Sequence, residues 1–394
     1  MTLRALHVIP AVAPRYGGPS TAIVQMTAAL AAIPGVAVEV AATDADGSAS
    51  KYDGASWPVP SVPLHLFPTE GPERYKKSAG LWNWLDANIP RFDVVHTHAA
   101  WNFPTYAACR LAAKHRKPLV YRPCGTLSAY TWGLKRPLKW AYWLWRERAN
   151  VAGAAAFHCT SDAEATEVKA HQAARGRVEV IPLGVDPAAW TVPVDAGELR
   201  RRCGPKAGDL PIVLFLSRLH PKKGIVDTLL PAFARVRTRA FLAIAGGADE
   251  HAPAYESEIR REVERLKLND RVAMLGPVTA TERWAMYDGA ALFVLPSHRE
   301  NFGIVVVEAL ARGCPALVTP DTATGEYVLS SKAGNVVPRD VASFAVAIDE
   351  LLAEGRSRGE AGLIAIREQL SWERTAGRLV GVYRKSNRFP LGAK

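Results

Sequence analysis

The chain has 394 residues, 48% of them apolar and 22% charged, too many for one compact core and suited to two domains of a soluble globular protein. A formal charge of +11 favours polyanions, nucleotide phosphates or an anionic membrane surface, and selects none of them alone. The five cysteines (Cys109, Cys124, Cys159, Cys203, Cys314) are odd in number and never spaced C-x-x-C, which argues against a disulfide framework or structural zinc and for a reducing compartment.

The opening "MTLRALHVIP" reads as a first strand over 3–10, not as a signal peptide. No apolar run approaches the ~20 residues of a membrane span, so any membrane contact is expected to be peripheral. Gly17-Gly18-Pro19 follows, ahead of a helix over 20–32 capped by Ser20. After a strand near 36–42 comes the polar stretch "DADGSASKYDGASWPVPS" (44–61), expected to be a mobile loop. Strands near 93–97, 118–121, 155–160 and 178–181 alternate with helices over 104–115, 136–150 and 161–173, the last opening with Ser161 and Glu164 at capping-box spacing. From Pro182 to Leu210 proline, glycine and charge break the pattern, and the connection between domains is placed at 185–208. Strands near 211–217, 240–245, 272–275, 291–296 and 315–318 repeat the alternation. Such βαβ order implies parallel sheets with helices on both faces. Domains are therefore expected at 1–184 and 209–370, with a closing segment at 371–394.

Open α/β sheets bind ligands beyond the carboxyl ends of their strands, and there the glycines and charges concentrate. His98 and Trp101 follow the 93–97 strand. Arg218 and "LHPKKG" follow the 211–217 strand, "AGGADE" and "LGPV" the next two, and "SHRENFGIVVVEALARG" the fourth. Arg218 offers a planar fork and Lys223 a mobile point charge, a pair suited to a pyrophosphate; alone, they read equally as a solvated basic loop. Phe302-Gly303-Ile304 marks a loop entering a helix, where free backbone N–H groups attract anions and Gly303 allows close approach. Glu300 lies in that loop. Glu308, one turn into the helix, can accept bonds from a diol such as ribose. Taken alone, the two acids read as a surface charge and an exposed helix residue.

Read in order, "GGPS", "DVVHTHAAW", "IPLGVD", "SRLHPKKG", "AGGADE", "LGPV", "ENFGIVVVEALARG" and "SWERTAGRLVGVY" resemble the retaining nucleotide-sugar glycosyltransferases of family 4, over nearly the whole chain. That resemblance implies a GT-B fold, two Rossmann-like domains facing a central cleft, with the last helix crossing back onto the first. It implies that Arg218 and Lys223 bind the donor diphosphate and that Glu300 and Glu308 contact the sugar and the ribose. Backbone amides around Asn301-Phe302-Gly303-Ile304 would hold sugar and phosphate, Gly17-Gly18 would approach the diphosphate, and His98 would lie beside the transferred sugar. Neighbouring His96 is expected to point away from the cleft. Leu183 stands where the family often has Asn, and Asn301 replaces a frequent glycine, so donor identity stays open among glucose, galactose, mannose and N-acetylglucosamine. Asp44-Ala45-Asp46 resembles the D-x-D metal site of the other glycosyltransferase fold, but opens a polar loop. No metal or cofactor is expected beyond a nucleoside diphosphate sugar as co-substrate.

"TWGLKRPLKWAYWLWRERAN" (131–150) is basic and aromatic at once. As a helix it carries Lys135, Lys139 and Arg146 in one stripe, with Trp140 and Trp143 beside it. Such a surface suits anionic headgroups; equally, the tryptophans are core and the cations a solvated face. The preceding "RPCGTLSAYTW" resembles the acceptor side of polysaccharide-assembling members. Together these give a hexosyltransferase acting on a saccharide or lipid-linked acceptor in exopolysaccharide or O-antigen assembly, cytoplasmic or at the inner membrane face. Rival readings are a sugar-nucleotide epimerase of the same fold and a two-lobed solute-binding protein. Nucleic-acid binding fits the charge but not the motif layout.

Overall fold

A computed structural model describes residues 2–47, 50–133, 136–249 and 252–387. The chain divides into two compact units, Met1–Gly184 with Trp372–Lys394, and Val185–Ser371. The first is built on seven parallel strands: β1 (Leu3–Ala11), β2 (Val36–Thr43), β3 (Leu64–Phe67), β4 (Val94–His98), β5 (Leu119–Arg122), β6 (Ala156–Cys159) and β7 (Arg177–Val180), in spatial order β3-β2-β1-β4-β5-β6-β7. β4 and β5 are buried along their whole length, as expected of strands covered on both faces. Strand order reverses between β1 and β4, the switch point where such sheets open a crevice.

Some local expectations are corrected. β3 was missed: it is four half-buried residues at the sheet edge, directly after Pro63, too short to show a period. Among the described residues, the stretch 44–61 is not a free loop. Ala45 pairs with Lys51, Tyr52, Val59 and Val62 are buried, and Trp57 Nε1 donates to the Val59 and Val62 carbonyls. Asp44 accepts from Lys51 Nζ at 2.9 Å and Thr69 N at 2.8 Å. Ser20 is no cap; the N-cap of the helix Gly18–Ala31 is Gly17, and Ser20 Oγ is buried in its first turn without a hydrogen-bond partner. Ser161 does cap its helix, accepting from Glu164 N, while the Glu164 carboxylate reaches Thr160 N and Gly125 N. The helix expected over 136–150 carries a π turn at Trp143–Glu147 between Arg136–Tyr142 and Arg148–Ala152. Glu147, in that widened turn, is buried and accepts from Tyr121 O–H.

The second unit holds β8 (Ile212–Leu216), β9 (Phe241–Ala245), β10 (Val272–Gly276), β11 (Leu292–Leu295), β12 (Ala316–Val318) and β13 (Gly334–Val336), all parallel, in order β10-β9-β8-β11-β12-β13. Its switch point lies between β8 and β11. The three-residue edge strand β13 was not foreseen. Nor is 185–208 a free connection. Short helices at Ala188–Thr191 and Glu198–Cys203 belong to this unit, Leu199 is fully buried, and Arg202 donates to the Leu275 carbonyl. The prolines and glycines there punctuate short helices. The last helix, Trp372–Ser386, packs in the first unit against Gly18–Ala31 and buries Leu379 and Tyr383.

Candidate active site

In the second unit, the loops after β8 and β11 meet at the switch point. Pro221–Lys223 forms a 3-10 turn capped by His220, ending at Gly224 with φ +73°. A Cβ on Gly224 would stand 2.1 Å from the Pro296 carbonyl oxygen, so only glycine lets this loop lie against the end of β11. His298 N then donates to the Lys222 carbonyl at 2.8 Å. That contact delivers Lys223 Nζ to 2.5 Å from Glu300 Oε1, with Ser297 Oγ donating to the same oxygen at 2.9 Å. Burial alone would raise the Glu300 carboxyl; Lys223 and Lys222 outweigh it and hold it below the usual carboxylate range. Arg218 is anchored on one side by Asp249, Nη1 to Oδ2 at 2.6 Å, yet its side chain stays 56% exposed. A guanidinium has five donors, so most of its fork faces solvent. Asp249, from the quoted "AGGADE", had not been singled out.

The β11 loop is pinned on both sides: Glu300 N donates to the Asp321 carbonyl, and Thr324 N to that of Phe302. Phe302 is buried and Asn301 half-buried. Gly303 caps the helix Ile304–Ala311 in the left-handed region, φ +84°; Val306 N already donates to the Gly303 carbonyl at 2.9 Å, so the anion-facing amides of the helix start are those of Ile304 and Val305. Glu308 is neither exposed nor solitary. It accepts from Tyr287 O–H at 3.1 Å and faces Arg283 at 3.4 Å, which also reaches Asp186. Burial pushes its carboxyl up, against the pull of Arg283. Two contacts leave lone pairs on this carboxylate for a further donor. Arg283 and Tyr287 carry no local signal in the sequence.

In the first unit, the bare helix start at Gly17-Gly18 and the β4 terminus both adjoin the β1/β4 switch point. A Cβ on Gly18 would meet nothing within 4 Å. His98 is the last residue of β4 and 1% exposed. Its Nε2 lies 3.1 Å from His7 Nδ1, and its Nδ1 lies 3.3 Å from Arg122 Nη1. The expectation for His96 was wrong: residues two apart in a strand share a face, and its ring lies 4.5 Å from that of His98. Burial holds both rings far below their usual pKa, hence neutral. The backbone beyond β4 is strained, with φ +64° at Ala99 and +65° at Trp101, a kind of strain that gathers at functional sites.

The aromatic segment resolves into both readings weighed for it. Trp143 is core, 7% exposed, while Trp140 is 56% exposed. Trp101 packs on Trp132 and Trp143, with Lys139 Nζ 5.6 Å above its ring. Arg146 lies against the rings of Tyr106 and Trp145, at 4.0 and 3.7 Å, so it is no solvated stripe. Lys135 lies outside the described residues. Leu138, Trp140, Leu144 and Trp145 are all exposed on this one helix. An apolar groove of about 1570 Å³ runs beside it, lined by Leu127, Trp132, Pro137, Trp140, Trp143 and Leu144 among others. Among the described residues no helix is long and apolar enough to cross a membrane.

Both units match known protein families. Residues 17–184 match the family described as glycosyl transferase 4-like domain, and 198–365 match glycosyl transferases group 1. A D-inositol 3-phosphate glycosyltransferase of Xylanimonas cellulosilytica is 30% identical over 251 residues, 61% of this chain and 60% of that protein. A glycogen synthase of Mycobacterium tuberculosis is 30% identical over 217 residues, 54% and 49% of the two chains. The chain thus spans about half the length of such curated relatives. Among solved structures, sucrose-phosphate synthase from Thermosynechococcus elongatus superposes with a TM-score of 0.76 at 22% identity, covering 97% of this chain and 98% of that one. Anabaena Alr3699/HepE, in complex with UDP and glucose, gives 0.77 at 19% identity, covering 97% and 100%. With both units matched and the two parallel sheets superposing on such neighbours, this chain belongs to the family-4 type glycosyltransferases and has the GT-B fold.

Proposed function

We propose that the protein is a hexosyltransferase that moves a sugar from a nucleoside diphosphate sugar to an acceptor hydroxyl, with retention at the anomeric carbon. The observation that carries this reading is the convergence of Arg218, the Lys223–Glu300 pair and the Gly303 helix start at one switch point. Arg218 and Lys223 neutralise the charge that grows on the departing diphosphate, a preorganised electrostatic role. Glu300, kept ionised by its lysines, accepts hydrogen bonds from sugar hydroxyls and sets the orientation of the ring. Glu308 receives the ribose diol with its remaining lone pairs, and the amides near Asn301 and Ile304 bind sugar and phosphate. In the first unit, the open start at Gly17-Gly18 receives phosphate and His98 faces the sugar. A β-phosphate oxygen takes the acceptor proton, so no enzyme nucleophile, metal or further cofactor enters the scheme.

The relatives named D-inositol 3-phosphate glycosyltransferase and glycogen synthase, and the neighbour held with UDP and glucose, support a nucleotide-sugar donor. The acceptor is a saccharide, lipid-linked and presented at an anionic membrane face, in exopolysaccharide or O-antigen assembly. Four exposed apolar side chains on one helix, beside the apolar groove, favour that surface over a wholly aqueous acceptor. The experiment is a thermal-shift screen of UDP-, GDP- and ADP-sugars, since a bound donor raises stability by mass action. Transfer from the selected donor to added saccharide is then assayed. Arg218→Ala and Glu300→Ala are expected to stay folded and lose transfer. Full turnover in either variant refutes the role assignment, and donor breakdown without transfer refutes the reaction class.

A further inference from the structure

Four histidines, a tyrosine and an arginine join in one unbroken hydrogen-bonded chain inside the first unit, spanning β1, β4, β5, β6 and the last helix. Arg122 Nη1 lies 3.3 Å from His98 Nδ1, and His98 Nε2 lies 3.1 Å from His7 Nδ1. His7 Nε2 lies 3.1 Å from Tyr383 Oη, which is 2.7 Å from His96 Nδ1. His96 Nε2 lies 3.4 Å from His158 Nδ1, and His158 Nε2 is 3.0 Å from the Ile181 carbonyl. All six side chains are at most 4% exposed.

The two ends decide the direction of every bond between them. A guanidinium only donates, so His98 Nδ1 accepts and the neutral ring carries its proton on Nε2. His98 then donates to His7, which must carry its own proton on Nε2 and donate to the Tyr383 oxygen. From the other end, a carbonyl only accepts, so His158 carries its proton on Nε2 and accepts at Nδ1 from His96 Nε2–H. His96 Nδ1 is then an acceptor, and the Tyr383 hydroxyl is the donor that fits it. Both derivations meet at Tyr383 without conflict. Reversing the chain would aim a lone pair of His158 at the Ile181 carbonyl oxygen, and a lone pair of His98 would no longer face Arg122.

We propose that Arg122, His7 and Tyr383 are positioning residues that lock His98 as a neutral Nε2–H tautomer, so that the ring offers an N–H shared with His7 Nδ1 and no free lone pair. This rests on the reading of His98 as the residue that faces the sugar. A sugar oxygen that reaches the ring competes with His7 Nδ1 for that one N–H. The ring nitrogens of His7, His96 and His98 also lie within 4.8 Å of one another, a spacing that a metal ion could use. Here, however, each ring already commits both nitrogens, and the Arg122 cation adjoins the group. Burial, together with neighbouring positive charge, keeps all four rings neutral.

Histidine ¹⁵N–¹H correlation spectra of the full chain test this without any substrate, because the protonated and bare ring nitrogens of each tautomer are distinguishable. Wild type is expected to show the Nε2–H tautomer for His7, His96, His98 and His158 at neutral pH. Tyr383→Phe alone leaves His98 locked by Arg122. Arg122→Met alone leaves it locked through Tyr383 by the Ile181 carbonyl. The double variant cuts both constraints, and His98 and His7 lose their single tautomer. An Nδ1–H signal for His98 in wild type overturns the proposal even if a variant fails to fold. A locked His98 in a folded double variant, or stoichiometric Zn²⁺ uptake abolished by His7→Ala, overturns it too. If instead His98→Ala keeps full transfer while the tautomers stand as derived, the sugar-facing reading fails and the lock remains.

Discussion

Glu300→Gln keeps the shape of the side chain and its capacity to accept from Ser297 Oγ, and removes only the charge facing Lys223. Both side chains are nearly buried, 11% exposed for Lys223 and 14% for Glu300, so solvent screens the pair weakly. Removing a partner outright from a buried pair costs about 3–5 kcal/mol. Because glutamine still accepts, the loss is the charge assistance alone, about 1–2 kcal/mol. At about 2–4 °C per kcal/mol for a unit of this size, the second unit should melt about 2–8 °C lower. The pH dependence has a definite sign. Glu300 has a depressed folded pKa, so its contribution is complete above the unfolded value near about 4.3 and is lost as pH falls through the folded value. Calorimetry of both proteins should therefore show the full gap in Tm at neutral pH and a shrinking gap in acid. A gap under about 1 °C at neutral pH, or one that widens on acidification, would falsify the ion-pair argument.

Two further outcomes follow from geometry. Gly303→Ala puts a Cβ 3.1 Å from Thr324 Oγ1 and 3.2 Å from Thr322 Cγ2 at φ +84°, and should cost about 1–2 kcal/mol in urea denaturation. Gly18→Ala, with open space around it, should stay within about 0.5 kcal/mol of wild type; equal losses at the two glycines would contradict the backbone argument. Leu138 and Leu144 are 73% and 58% exposed, so Leu138→Glu/Leu144→Glu should leave the melting temperature unchanged. Sedimentation with phosphatidylglycerol vesicles should fall, and that of wild type should weaken with added salt. Undiminished vesicle binding by the double variant would remove this helix from the membrane reading.

Local rules sufficed for much of this protein. Short apolar runs alternating with helical periods set eleven of the strands and the parallel sheets, because period and loop chemistry are read within about twenty residues. The ordered loops after β8 and β11 pointed to Arg218, Lys223 and Glu300 for the same reason. Edge strands β3 and β13 escaped because runs of four and three residues are too short to carry a period. What the sequence could not supply was partnership. Tyr383 meets His7 across 376 positions, and Lys223 meets Glu300 across 77. Which partner Glu308 holds, whether Arg146 is solvated or stacked, and which nitrogen of His98 carries its proton depend on side chains that only the packed sheet brings together. Burial then gives those meetings their force, since inside the unit a donor or acceptor must be satisfied by whatever neighbour the tertiary structure provides.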